Sequence, residues 1–468
     1  MTDPTACLSL ASFDLLEALP ALSIRSVFAR LSSGLAATAS KDWFEPLRHA
    51  GILAVGRSGQ GVLKLAAVAV AAQTLGASVY GSLVMINAMR KVLAALVFVR
   101  STHLVMRYGA PALEADDPEG FGRTVAFGVW LDALSAVLAT ATVLAVTGWV
   151  GGLLNLPPDT LSAARVFGLC TVFPALTITA HALLQLFGMF RFIALQGVVL
   201  PGLQLAGGGL AFALEGGLVT FLVVWFSAIA LARVCLLAAC VIELRHRGLL
   251  AHVAASLHRP RRPGGGAWRY LFGVNAQASM RQVQDRGGVL AAGALFDPGA
   301  AALVQVARQL GGALRRPVKT VLSPAILPVL MRQTAGNRWE TRRKTLRTFS
   351  LASLWVALGL VGGLGALGQS ILVTLFGPSF EAAYWVMLIF AIGGGIRMAT
   401  VTFEPLLASA GRVKILLSAQ ATALGAHVVL LFTLIPFVGV TGAALAEAFA
   451  LALHATMLWV LGRQEFSR

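Results

Sequence analysis

Acidic residues are scarce in this sequence: 20 Asp and Glu stand against 37 Lys and Arg in 468 residues, a formal net charge of +17. Charge of either sign is sparse as well, at 12% of residues, and the mean hydropathy is +0.79. Both values exclude an ordinary soluble globular protein, in which about a quarter of residues are charged. The four cysteines, Cys7, Cys170, Cys235 and Cys240, follow no metal-ligand or disulfide spacing, so neither a zinc site nor a disulfide framework is expected. No phosphate-cradling glycine loop precedes a Lys-Ser/Thr pair, and the eight histidines are scattered. A catalytic centre, a nucleotide site and a cofactor are therefore not expected. A pI near 11 would point to nucleic acid in a soluble chain; here basic cytoplasmic loops of a membrane protein account for it, and no nucleic-acid partner is expected.

What the sequence has in abundance is long apolar segments. Stretches able to span a bilayer, around 20 residues each, recur about twelve times, near 51–74, 80–106, 122–150, 161–187, 191–213, 218–244, 268–295, 299–331, 346–376, 381–409, 413–435 and 438–462. The links after the odd-numbered spans ("TLGASVY", "LNLPPDT", "LEGG", "FDPG", "FGPSF", "PFVG") carry no Lys or Arg. The links after the even-numbered spans are all basic, among them "RHRGLLAHVAASLHRPRRPGGGAWR" and "MRQTAGNRWETRRKTLR". The positive-inside rule then places both termini in the cytoplasm. Residues 1–49 show no signal-peptide pattern and read as a cytoplasmic segment, with 23–44 spaced like an interfacial helix or belonging to a tail.

The chain also repeats itself at an offset of roughly 220 residues: "RTVAFGVWLD" at 123 matches "RTFSLASLWV" at 347, and "LGASVYGSLV" at 75 matches "LFDPGAAALV" at 295. Six spans plus six predict an all-α membrane protein of two six-helix bundles related by a pseudo-twofold axis. The expected divisions are a lobe over 50–245, a basic linker over 246–267, a second lobe over 268–462 and a tail over 463–468.

Charges inside the spans are unevenly placed. "RQLGGALRRPVK" (308–319) puts Arg308, Arg315, Arg316 and Lys319 in one apolar neighbourhood. Each costs roughly 2.5–3.5 kcal/mol at mid-membrane, so such a helix must face something other than lipid. Spans one, two, seven and eight also hold Arg57, Lys64, Arg90, Lys91, Arg100, Arg281 and Arg286, with Asp285 as their one acid. At 100° per residue, Arg57, Gln60 and Lys64 fall within about 60° of one another, and Arg308, Arg315 and Lys319 within about 40°. Asn275, Ser279, Gln282 and Arg286 share a stripe of span seven, and Asn87, Arg90 and Lys91 cluster in span two. Stripes of this kind line water. Some charges have plainer readings: Arg100, Arg165 and Arg316 can snorkel to an interface, Arg281 and Asp285 form an i,i+4 pair, and Arg397 with Glu404 is spaced for a structural salt bridge.

The segments "TLGASVYGSLVMINA", "QVQDRGGVLAAGALFDPGAAALVQVARQL" and "TLFGPSFEAAYWVMLIFAIGG" resemble the multidrug/oligosaccharidyl-lipid/polysaccharide (MOP) superfamily, specifically its polysaccharide (Wzx-type) flippases, over roughly residues 48–462. The turn "DPGAA" departs from the family pattern, in which an aromatic often follows the glycine. The resemblance implies a V-shaped pair of bundles, a MATE-like fold, with spans one, two, seven and eight lining the cleft. It further implies a flippase of the bacterial cytoplasmic membrane that moves undecaprenyl-pyrophosphate-linked oligosaccharide, an exopolysaccharide or O-antigen repeat unit. Other polysaccharide-assembly proteins would be its candidate partners. The expected substrate-binding residues are Arg57, Lys64, Arg90, Lys91, Arg281, Arg286, Arg308, Arg315, Arg316 and Lys319, since guanidinium forks suit phosphate oxygens. A coupling ion, proton or sodium, would use an intramembrane acid: Glu404 and Asp132 ahead of Asp285, which lies among cations. A peptidoglycan-precursor flippase shares this charge sign. A multidrug cation antiporter would require acids instead, and a non-transporting scaffold leaves the intramembrane cations unexplained.

Overall fold

The computed structural model describes residues 44–154, 156–258, 267–313, 339–399, 403–404, 407 and 413–466. The chain divides into two compact units, Met1–Arg48 and His49–Arg468, and the membrane helices belong to the second. Regular structure among the described residues is helical throughout. The main helices are α1 (Phe44–Val97), α2 (Pro118–Leu153), α3 (Pro158–Gly168), α4 (Val172–Leu176), α5 (Ile178–Leu186), α6 (Phe190–Ala213) and α7 (Leu218–His246). After these come α8 (Leu250–Leu257), α9 (Ala267–Leu295), α10 (Pro298–Ala313), α11 (Trp339–Phe376), α12 (Ala383–Ala399), α13 (Val413–Val438) and α14 (Thr441–Phe466).

Each of the twelve expected spans carries helix. Eight described helical stretches, one of them running through α3, α4 and α5, are long and apolar enough to cross a membrane, and α12 is a shorter apolar helix. Helix α9 falls outside that group because Arg281, Asp285 and Arg286 interrupt its apolar run. Such a helix crosses a bilayer only where protein or water covers its polar face. Large apolar side chains point outward elsewhere, including Trp149 at 71% and Phe437 at 88% exposure, as suits contact with acyl chains.

Two departures from the sequence reading shape the interior. The first and second spans form one helical run, α1, broken at the single residue Gly76 (φ 70°, ψ 171°). Positive φ there is open to glycine and strained for a side chain. The second span also stops at Val97, short of the expected 106, and helical turns resume over 102–114. Side chains satisfy the backbone in that gap: the Val99 amide donates to Ser135 Oγ at 3.2 Å and the Arg100 amide to Asn275 Oδ1 at 2.7 Å. Irregular backbone is tolerated at membrane depth only with such partners.

Asp132, buried on α2, secures two breaks at once. Its carboxylate accepts from Ser101 Oγ at 2.6 Å and from the Thr179 amide, at the start of α5, also at 2.6 Å. Within the second half α9 packs on α10 and α13, and α12 on α10, α11 and α14. The linker helix α8 lies against α2, where Trp130 Nε1 donates to the Leu257 carbonyl at 2.9 Å.

Candidate functional site

A cavity of about 730 Å³ lies among these helices, within the size range of small-molecule sites. Both arms of α1 line it, as do α4–α7, α9 and α10. Six cations face it: Lys64, Arg90, Lys91, Arg100, Arg233 and Arg286. Among its described lining residues there is no Asp or Glu.

The local geometry keeps guanidinium groups available. Arg90, only 5% exposed, donates to Asn87 Oδ1 at 3.1 Å and lies 5.3 Å from the centre of the Phe167 ring, while its Nε has no partner among the described residues. Arg286 Nη1 donates to Gln305 Oε1 at 3.3 Å, and its Nε is likewise buried without a partner, as is Arg233 Nε. Glutamine and asparagine can hold such groups in place without cancelling their charge. The described lining is therefore cationic in formal charge.

Four of the ten expected binding cations, Lys64, Arg90, Lys91 and Arg286, meet in this cavity. The Arg57 side chain, Arg315, Arg316 and Lys319 lie outside the described residues. Arg281 and Arg308 stand elsewhere, and their pairing differs from the sequence reading. The expected Arg281–Asp285 pair is replaced by Arg281 Nη2 to Glu404 Oε1 at 2.9 Å, with Arg397 Nη2 on the same oxygen at 3.1 Å. The Arg397–Glu404 bridge is as the sequence spacing suggested. Arg308, which has no acid nearby in sequence, contacts Asp285 Oδ1 at 2.7 Å and Glu447 Oε1 at 3.2 Å. An i,i+4 spacing permits a pair on one helix but does not compel it when α10, α12 and α14 bring competing charges.

Of the expected ion-coupling acids, Glu404 and Asp285 are thus engaged by arginines. Among the described residues Asp132 has hydroxyl and amide partners and no salt bridge. Arg165 is exposed; Arg100, for which an interfacial position was expected, is exposed as well and lines the cavity just past the break after Val97.

The sequence reading missed the wall formed by α5–α7. Gln185, Gln196, Gln204 and Arg233 line it. The available signal was faint: Gln196 and Gln204 are eight residues apart on one flank of α6. The wall also widens the expected lining, which the resemblance confined to spans one, two, seven and eight.

Beside Tyr80, which lines the cavity, three links expected outside the cytoplasm converge. A Cβ on Gly81 would lie 1.7 Å from the Pro298 carbonyl oxygen, so the second arm of α1 and the start of α10 touch backbone to backbone. Gln73 Nε2 donates to the Leu375 carbonyl at 2.9 Å, and the Tyr80 and Phe380 rings meet edge-on at 6.4 Å.

No family model matches the chain. The Escherichia coli K12 protein named inner membrane protein YghQ is 24% identical over 365 residues, covering 74% of this chain and 98% of that protein. Among solved structures, an inward-facing multidrug resistance MATE family transporter of the MOP superfamily superposes with a TM-score of 0.64 at 13% identity, over 89% of this chain and 94% of that one. The Vibrio cholerae MATE transporter VcmN gives 0.62 at 12% identity, over 91% and 98%. The fold is therefore the all-helical MATE/MOP membrane fold, and the chain is a multi-pass inner membrane protein.

Proposed function

We propose that this protein is a transporter, not an enzyme, and that it works as a flippase for undecaprenyl-pyrophosphate-linked oligosaccharide. The observation that carries this reading is the cavity's charge: six cations and no acid among its described lining residues. In a site of reduced dielectric, such a set attracts an anion and repels a cationic drug by the same Coulomb term. The MATE/MOP fold supports alternating access, in which a lobe over 50–245 and a lobe over 268–462 rock about the cavity. The diphosphate would sit on Arg90, Lys91, Arg286 and Lys64, the sugars in the remaining cavity, and the acyl chain in lipid. The repeat unit would be that of an exopolysaccharide or O-antigen. Arg57, Arg315, Arg316 and Lys319 remain proposed contributors to the same path. Arg308 and Arg281, bound to acids in this state, would reach substrate only in another.

Transport against a gradient calls for a coupling ion, a proton or sodium. Asp132 is the proposed acid for it, since it has no cation opposite it among the described residues.

The leaflet distribution of the lipid-linked intermediate tests the reading. Cells lacking the protein should accumulate completed lipid-linked oligosaccharide on the inner leaflet. If the intermediate reaches the outer leaflet at the normal rate, the flippase assignment fails. If those cells instead become sensitive to cationic drugs, a multidrug antiporter takes its place.

A further inference from the structure

Away from the central cavity, one turn of α9 gathers a second polar group inside the second half. Gln420 Nε2 on α13 donates to Gln284 Oε1 at 2.7 Å. Asp285 meets Arg308 of α10 at 2.7 Å, and that guanidinium also reaches Glu447 of α14 at 3.2 Å. His427 of α13 stands against Gly287, its Nε2 3.5 Å from where a Cβ on that glycine would lie. Gln420 and His427 are seven residues apart and share one face of α13. None of these residues lines the cavity.

His427 is 1% exposed and Gln284 is 4%. The Ala446 backbone lies close to the imidazole, yet neither ring nitrogen has a partner of hydrogen-bond geometry among the described residues, and neither does Gln284 Nε2. A neutral imidazole presents one N–H donor and one acceptor, and burying both unmet is costly. Proton uptake is a role that a histidine kept at such a cost can serve. The charges around it are Asp285 on α9, Arg308 on α10 and Glu447 on α14, and both Arg308 and Asp285 lie near enough to act on its charge. Arg281, one turn before Asp285, and Arg397 share Glu404, and His454 lies two turns beyond Glu447. Arg286 turns the other way, to Gln305 and the cavity.

Arg308 is placed to change partners. Gln305, one turn earlier on α10, and Gln309, the next residue, both line the cavity. A guanidinium that moved there would leave Asp285 and Glu447 without the cation they share.

We propose that His427 is a proton-binding site that stands in for Arg308. A proton on its imidazole balances Asp285 and Glu447 while Arg308 is turned to an anionic ligand. This rests on the reading above, in which Arg308 reaches substrate in another state, and adds that binding is linked to proton uptake. Asp132, in the first half, keeps its separate proposed role.

The test is isothermal titration of polyprenyl diphosphate into the full chain in lipid nanodiscs, in two buffers of different ionisation enthalpy. The difference in heat counts the protons taken up on binding. At about pH 7 the wild type should take up about one proton more than His427→Gln, and Asp132→Asn should keep that excess. Equal uptake in the wild type and His427→Gln overturns the proposal.

A second measurement needs no ligand. In Arg308→Gln the guanidinium is gone in every state, so His427 should hold a proton more tightly in the folded protein than in the unfolded chain. Stability of that origin is present at low pH and lost as pH rises through the histidine range. The melting temperature of Arg308→Gln should therefore rise relative to the wild type between about pH 8 and about pH 6, and adding His427→Gln should abolish the rise. A rise kept in full by the double variant gives the proton to Asp285 or Glu447 and overturns the proposal. If the diphosphate does not bind the wild type, the glycolipid reading fails, and the Arg308→Gln profile still decides the proton site.

Discussion

Arg308 Nη2 lies 2.7 Å from Asp285 Oδ1, across the turn that joins α9 to α10, and the same guanidinium reaches Glu447 on α14. One cation thereby ties three helices of the second half together, with a carboxylate bound on each side.

Arg308→Ala should consequently destabilise the fold before it affects substrate. Removing one member of an ion pair costs up to about 1 kcal/mol on a surface and roughly 3–5 when buried. The Glu447 side chain is 4% exposed and that of Asp285 is 44%, so the loss should be about 2–3 kcal/mol, between those limits. A lowered melting temperature of the purified protein, partly recovered in Arg308→Lys, is the expected result. Unchanged stability with reduced transport per molecule would return Arg308 to the substrate path.

The contact between the break in α1 and the start of α10 predicts a state-specific crosslink. A Cβ on Gly299 would stand 4.0 Å from the Ala77 Cβ, inside the range a disulfide requires. In a background with Cys7, Cys170, Cys235 and Cys240 replaced, Ala77→Cys with Gly299→Cys should crosslink under oxidation, halt transport and release it on reduction. Continued transport by the oxidised protein would show that this contact does not open during the cycle.

Much of the fold was legible because membrane insertion writes itself into composition: span length, basic links on one side and glycine at the first turn can all be read directly. The polar stripes were legible as well, and Gln60, Asn87, Ser279 and Gln282 do line the cavity. Pairing was less accessible. Arg308 sits 23 positions from Asp285 and 139 from Glu447, and only tertiary packing decides that these charges meet. The break after Val97 was hidden for a similar reason: the partners that make it possible, Ser135 and Asn275, come from α2 and α9. Arg100, just past that break, lines the cavity.

Asp132→Asn separates a coupling role from a structural one. The amide can accept from the Thr179 N–H and donate to Ser101 Oγ, so both helix breaks keep a partner. The variant should fold with a melting temperature close to the wild type, whereas Asp132→Ala should lose roughly 1–3 kcal/mol through its two stranded partners. If Asp132 carries the coupling ion, Asp132→Asn should transport without responding to an imposed proton or sodium gradient. A normal gradient response in that variant removes Asp132 from coupling.

The sign of the ligand is the central claim, and equilibrium binding to purified protein in lipid nanodiscs measures it most directly. Polyprenyl diphosphate and a quaternary-ammonium drug would each be titrated against the wild type, Arg90→Gln and Arg286→Gln. The cationic cavity predicts that the diphosphate binds, that the drug does not, and that each variant weakens diphosphate binding by roughly tenfold while the protein stays folded. Tight binding of the drug, or diphosphate affinity unchanged in both variants, would contradict it.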